Sequence, residues 1–156
     1  KINLSLLIIF LLLIFLQISI GAFVSGMDAG KIYNSWPLMG FSYFPDDNSI
    51  INLFKLDAFN DPSLVQFMHR NLAYLIFLFY LLILFIVYKN NLLNLFKAIK
   101  IIGLILIVQI VLGILTLLSG AQMIVSSMHQ ISSIFLVSSS VYLVYLNLNT
   151  NLQLSD

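Results

Sequence analysis

Two side chains of this sequence stand out as candidates for coordination chemistry. His69 and His129 are its only histidines, and it has no cysteine. Disulfides, cysteine-based zinc sites and iron–sulfur clusters are therefore excluded. Zinc held by side chains alone asks for more protein ligands than a histidine pair offers. A proton relay inside a membrane would add buried carboxylates, and no acidic residue falls in the apolar segments described below. Two imidazoles do suffice as axial ligands of a haem iron, because the macrocycle supplies the remaining donors. The plainer reading of each histidine is a hydrogen bond to a neighbouring helix. Arg70, beside His69, is the only basic residue within a predicted span. It can pair with a haem propionate in a charge-assisted contact, or snorkel to lipid headgroups.

The elements that must position these residues are membrane-spanning. The chain has 156 residues, 61% hydrophobic and 8% charged, with a mean hydropathy of +1.06. Soluble domains carry about 25% charged residues. A water-soluble globular fold, a disordered chain, a nucleic-acid binder and an ordinary cytosolic enzyme are therefore excluded. The net charge of +1 carries no polyanion-binding signal. No charged residue lies between Ile2 and Met27. That run is long enough for a tilted span and too long for a signal peptide. We predict spans at residues 4–26, 63–88, 101–118 and 123–146. The fold class is all-α, a polytopic four-helix membrane bundle forming one domain over residues 1–156. A long outer loop at 27–62 holds five aspartates, three prolines and the only tryptophan. Its Tyr33, Trp36, Phe41, Tyr43 and Phe44 suit the aromatic belt of a membrane surface. Residues 89–100 read as a short basic loop with Lys89, Lys97 and Lys100. Basic residues concentrate on the inner side, so both termini are expected inside and the long loop outside. The start at Lys1 rather than Met leads us to expect a piece of a longer protein.

A repeat relates the two halves. Gln17-Ile18-Ser19-Ile20-Gly21 matches Gln109-Ile110-Val111-Leu112-Gly113. Each copy lies in an inside-to-outside helix followed by a returning helix with one histidine. This predicts two parallel hairpins related by an axis along the membrane normal. His69 and His129 then sit about 10 Å inside the outer surface, at matched depth. Ser126, His129, Ser133 and Ser140 share a face of the fourth helix, and Ala73 lies one turn from His69. Small residues there leave room for a flat porphyrin or, equally, allow close helix packing. Gln17 and Gln109 read as interhelical hydrogen-bond partners.

The stretch Gly21-Ala22-Phe23-Val24-Ser25-Gly26-Met27-Asp28-Ala29-Gly30, with Tyr33-Asn34-Ser35-Trp36-Pro37-Leu38-Met39, resembles the loop after the fifth transmembrane helix of the haem A synthase family. Gln66-Phe67-Met68-His69-Arg70 is similar to that family's sixth helix. Gly113-Ile114-Leu115-Thr116-Leu117 and His129-Gln130 resemble its seventh and eighth. The resemblance implies the C-terminal half of an eight-helix oxidoreductase. It implies haem b held by His69 and His129 as axial iron ligands, with Arg70 beside the cofactor. In such proteins the N-terminal half holds haem O, whose methyl group is oxidised to the formyl of haem A for cytochrome oxidase biogenesis. That half carries a glutamate three residues before its first histidine; the matching position here is Gln66. No catalytic residue is thus expected in this chain. Two strong axial imidazoles suit electron relay or a structural role better than oxygen binding. The implied partners are the lipid bilayer, haem, the N-terminal four-helix half and a ferredoxin-like electron donor. The implied location is a bacterial inner membrane or the mitochondrial inner membrane. Two other readings fit the residues: a free-standing bis-histidine cytochrome b, and a non-haem membrane assembly or transport protein.

Overall fold

The computed structural model describes residues 1–149. Four long helices form it: α1 (Leu4–Gly26), α2 (Pro62–Lys89), α3 (Leu93–Leu118) and α4 (Met123–Asn149). Each is long and apolar enough to cross a membrane. The large side chains left exposed, such as Leu12, Leu78, Phe85, Leu104 and Phe135, are aliphatic or aromatic. In water such a surface would aggregate; in a bilayer it is the solvated face.

Local chemistry sets the helix boundaries. The Asn3 side chain accepts from Ser5 N at the start of α1. Asp61 accepts from Leu64 N at the start of α2, and Pro62 occupies the first turn, where its missing N–H costs nothing. Gly120 (φ 69°) and Ala121 (φ 59°) make the tight turn between α3 and α4.

One expected element is corrected. The basic loop foreseen at 89–100 is mostly helix: α3 begins at Leu93, and the connection shrinks to residues 90–92. Leu95, Ala98, Ile99 and Ile102 recur at helical spacing and are all buried, which extends α3 by two turns. Lys97 and Lys100 lie on this added stretch, and the three-residue turn is closed by Leu92 N donating to Val87 O. The other predicted spans agree with the helices to within three residues.

In the bundle α1 packs against α2 and α4, and α3 packs against α4 and α2. Helices α2 and α4 therefore stand on one diagonal. The interior has two unlike halves. Phe10, Ile14, Ile76, Ile83, Val87, Leu95, Ile99, Ile102 and Leu143 fill the half nearer the termini. That end is tied shut by Asn147, whose side chain accepts from Ile2 N (2.8 Å) and donates to Ile2 O (3.0 Å). The half nearer the long loop holds Gln17, Gln66, His69, Gln109 and His129.

The long loop is docked on the bundle. Short helical turns at Ala29–Lys31, Ile50–Phe54 and Leu56–Asn60 bend it, and Ala29, Met39 and Ala58 are buried under it. Asn34 donates to Gly30 O and to Leu117 O, the latter at the end of α3, so the loop bridges both hairpins.

A candidate haem site

His69 is on the second full turn of α2, and His129 is on the second turn of α4. At about 1.5 Å per residue both lie roughly 10 Å from the start of their helices. Being on diagonal helices, they approach the bundle interior from opposite sides.

Their surroundings repeat. Gln17 Nε2 donates to the His69 backbone carbonyl (3.0 Å) and lies 3.3 Å from His69 Nε2. Gln109 Nε2 donates to the His129 backbone carbonyl (3.1 Å). One turn beyond each glutamine a glycine backs the imidazole. A Cβ on Gly21 would lie 3.0 Å from His69 Cε1, and one on Gly113 would lie 3.1 Å from His129 Cε1. The repeat visible in the sequence is thus a structural cassette: an amide that grips the histidine's main chain, then a bare backbone against its ring. The two glutamines are interhelical hydrogen-bond partners, as anticipated.

Each ring also has an unmet need. Nδ1 of His69 and Nδ1 of His129 are buried with no hydrogen-bond partner. A buried polar atom without a partner is costly, and a native structure usually has a reason for it. An imidazole nitrogen left without a hydrogen-bond partner, twice over, on matching turns of the two helices, is compatible with histidines that serve as axial ligands of a haem. Among the described residues there is no group of three or more histidine, cysteine, aspartate or glutamate side chains, so the donor set suits a macrocycle and not a bare ion.

Arg70 makes contacts that sequence reasoning did not foresee. Its Nη1 donates to Ser35 O (2.9 Å) and Leu38 O (3.3 Å), and its Nη2 donates to Tyr33 O (3.0 Å). The guanidinium therefore clamps the long loop to α2 instead of reaching to lipid headgroups. Its Nε is buried and has no partner. Gln66, one turn earlier, donates to the same Tyr33 carbonyl (3.1 Å) and leaves Oε1 buried without a partner.

Sequence reasoning also missed how the loop aromatics are used. Trp36 Nε1 donates to Tyr74 Oη (3.0 Å), Tyr43 Oη donates to Asn71 Oδ1 (2.6 Å), and Phe44 meets the Phe67 ring edge-on. Tyr33 Oη donates to Asp47, whose other oxygen accepts from Ser63. Partial burial, and then the Asp47 hydrogen bond, raise the Tyr33 phenol above its ordinary value; burial does the same for Tyr43. Only Phe41 stands fully clear of the protein, as a belt residue would. The available signal was the run of polar residues in the first turns of α2, which a lipid-facing helix start would not need. Of the small residues on α4, Ser140 is buried and Ser126 and Ser133 are half-buried. Their hydroxyls bond back to Leu136, Gln122 and Gln130 of their own helix.

Residues 2–141 match the COX15-CtaA family model, that of a cytochrome oxidase assembly protein. The chain belongs to this family. It is similar to the haem A synthase of Pelagibacter ubique (strain HTCC1062), with 46% identity over 147 residues, covering 94% of this chain and 43% of that protein. It is also similar to the haem A synthases of Rickettsia felis (36%) and Rickettsia massiliae (34%), over 85% of this chain and 39% of theirs. The chain spans about two-fifths of the length of these relatives. No solved structure matches it significantly. Family membership and four helices long and apolar enough to cross a membrane together make it a multi-pass inner-membrane protein of a cytochrome oxidase assembly family.

Proposed function

We propose that this chain is the haem b-binding, C-terminal half of a haem A synthase-type oxidoreductase. The observation that carries the reading is the pair of half-buried imidazoles on diagonal helices, each with a buried, unpartnered Nδ1 and each in the same glutamine–glycine setting. His69 and His129 would hold the haem iron. Arg70 keeps one buried donor, Nε, for a propionate while its other nitrogens hold the loop. A bound haem supplies reversible one-electron chemistry, and the residues of this chain orient it and keep water from it.

Gln66 places an uncharged amide where a haem-oxidising half would carry a carboxylate. This chain would then relay electrons or brace the fold, while an N-terminal four-helix half oxidises the haem O methyl group. Electrons would arrive from a ferredoxin-like donor. Lys1, Lys89, Lys97 and Lys100 belong to the end away from the long loop, which supports an inward orientation of the termini.

The test is a reduced-minus-oxidised optical spectrum of the purified chain, with pyridine haemochrome extraction. One low-spin b-type haem per chain is expected, lost in both His69→Ala and His129→Ala. A chain that stays colourless after haem is supplied, or a spectrum unchanged in both variants, rejects the reading.

A further inference from the structure

The glutamine–glycine cassette has a purpose that helix packing alone does not explain. A helical carbonyl already accepts from its own helix, so the extra bond from Gln17 or Gln109 is not needed to satisfy it. What that bond does is fix the roll and register of α1 against α2, and of α3 against α4, at the level of the histidine. One turn later the glycine leaves only backbone beside the ring, and in both hairpins Cε1 is the nearest ring atom. The presence of glycine at both matched positions is accounted for by the space the ring takes: a methyl there, at 3.0–3.1 Å, would oblige the imidazole to give by a few tenths of an ångström. Roll and ring plane are thereby set together, in the same way, on both sides of the interior.

We propose that Gln17 with Gly21, and Gln109 with Gly113, are positioning residues that set the planes of the His69 and His129 imidazoles toward a haem iron. The inference rests on the haem-binding reading above. Neither pair touches the iron; each acts through its histidine. The angle between two axial imidazole planes sets the rhombicity of a low-spin ferric haem, so the effect is visible in the largest g value of its electron paramagnetic resonance spectrum.

The experiment titrates the full chain in detergent with ferric protoporphyrin IX and records that spectrum. The variants are Gln17→Leu, Gln109→Leu, Gly21→Ala and Gly113→Ala. Residues that orient a metal's ligands typically control affinity by about 10- to 100-fold. Each variant is expected to weaken haem binding at least about tenfold and to shift the largest g value. The control is Asn147→Leu, which removes another side chain-to-backbone tie, between α1 and α4, at the far end of the bundle. It is expected to lower the unfolding temperature and leave the g value as in the parent. If the leucine variants fail to fold, the alanine variants decide, because alanine favours helix. Four variants with parental g values and affinities overturn the proposal. So does an Asn147→Leu variant that shifts the g value as far as they do. A parent chain that binds no haem removes the haem-binding reading itself, and this inference with it.

Discussion

Replacing Arg70 with methionine should release the long loop while leaving the helices in place. Methionine keeps the apolar stem and deletes the guanidinium. Three bonds are lost, to Tyr33 O, Ser35 O and Leu38 O. Tyr33 O keeps its bond from Gln66 and Leu38 O its bond from Ser35 Oγ, so Ser35 O is the carbonyl that depends on Arg70. At about 1 kcal/mol net for each bond partly shared with water, docking weakens by roughly 3 kcal/mol. That corresponds to an approximately hundredfold rise in the open population. The loop retains its other ties, Trp36 to Tyr74, Tyr43 to Asn71 and Asn34 to Leu117, so opening is partial and local. The assay is amide hydrogen exchange over residues 33–43 in detergent, with α3 as the internal reference. Protection of Met39 N, which donates to Ser42 O, should fall by about two orders of magnitude while α3 is unchanged. Arg70→Lys should recover only part of it, because an ammonium cannot reproduce the fork that spans the carbonyls. Unchanged exchange in Arg70→Met would refute the clamp. Equal loss of protection in α3 would show that Arg70 supports the bundle as a whole.

Other expectations follow from single contacts. Gly103→Ala would drive a methyl into the Tyr80 ring and hydroxyl, displacing the Tyr80 bond to Ile99 O; overpacking of about 1–3 kcal/mol should lower the thermal midpoint, and an unchanged midpoint would contradict that packing. Asn147→Leu should cost about 1–3 kcal/mol in detergent unfolding, because Ile2 N and O lose their partner at a buried site. The alkaline limit of loop docking follows from Tyr33 and Tyr43, both raised in the folded chain above the ordinary phenol value of 10.0. Their contribution is complete below that value and is lost as pH rises through the raised ones. Emission of Trp36, the only tryptophan, should stay flat up to pH 10.0 and change above it; a transition centred at neutral pH would contradict this assignment. Loss of the optical spectrum in His69→Ala and in His129→Ala remains the direct test of ligation.

Much of the fold was legible because a bilayer imposes simple rules. Uncharged runs near the length of a membrane crossing can only be spans, and Pro62 and Gly120 mark where two of them begin or end. The start of α3 was misread because Lys97 and Lys100 suggested a loop by charge. The apolar spacing of Leu95, Ala98, Ile99 and Ile102 outweighs two lysines that a helix face can carry into the interface. Arg70 was read for its charge, toward a propionate or a headgroup. Its Nη1 and Nη2 also hold neutral carbonyls some 32–37 residues earlier, and no local pattern encodes so distant a pairing.

The amino-acid sequence by itself determined that the chain lives in a membrane, where its spans lie, that only two imidazoles are available, and that Gln17–Gly21 and Gln109–Gly113 repeat. Those properties depend on composition and period, which are local. Only the tertiary structure decided that the repeat grips the histidines, that α2 and α4 stand diagonally, and that the loop is clamped down by Arg70. Each of these depends on which helix faces which, and that is settled by side-chain packing between segments far apart in the chain.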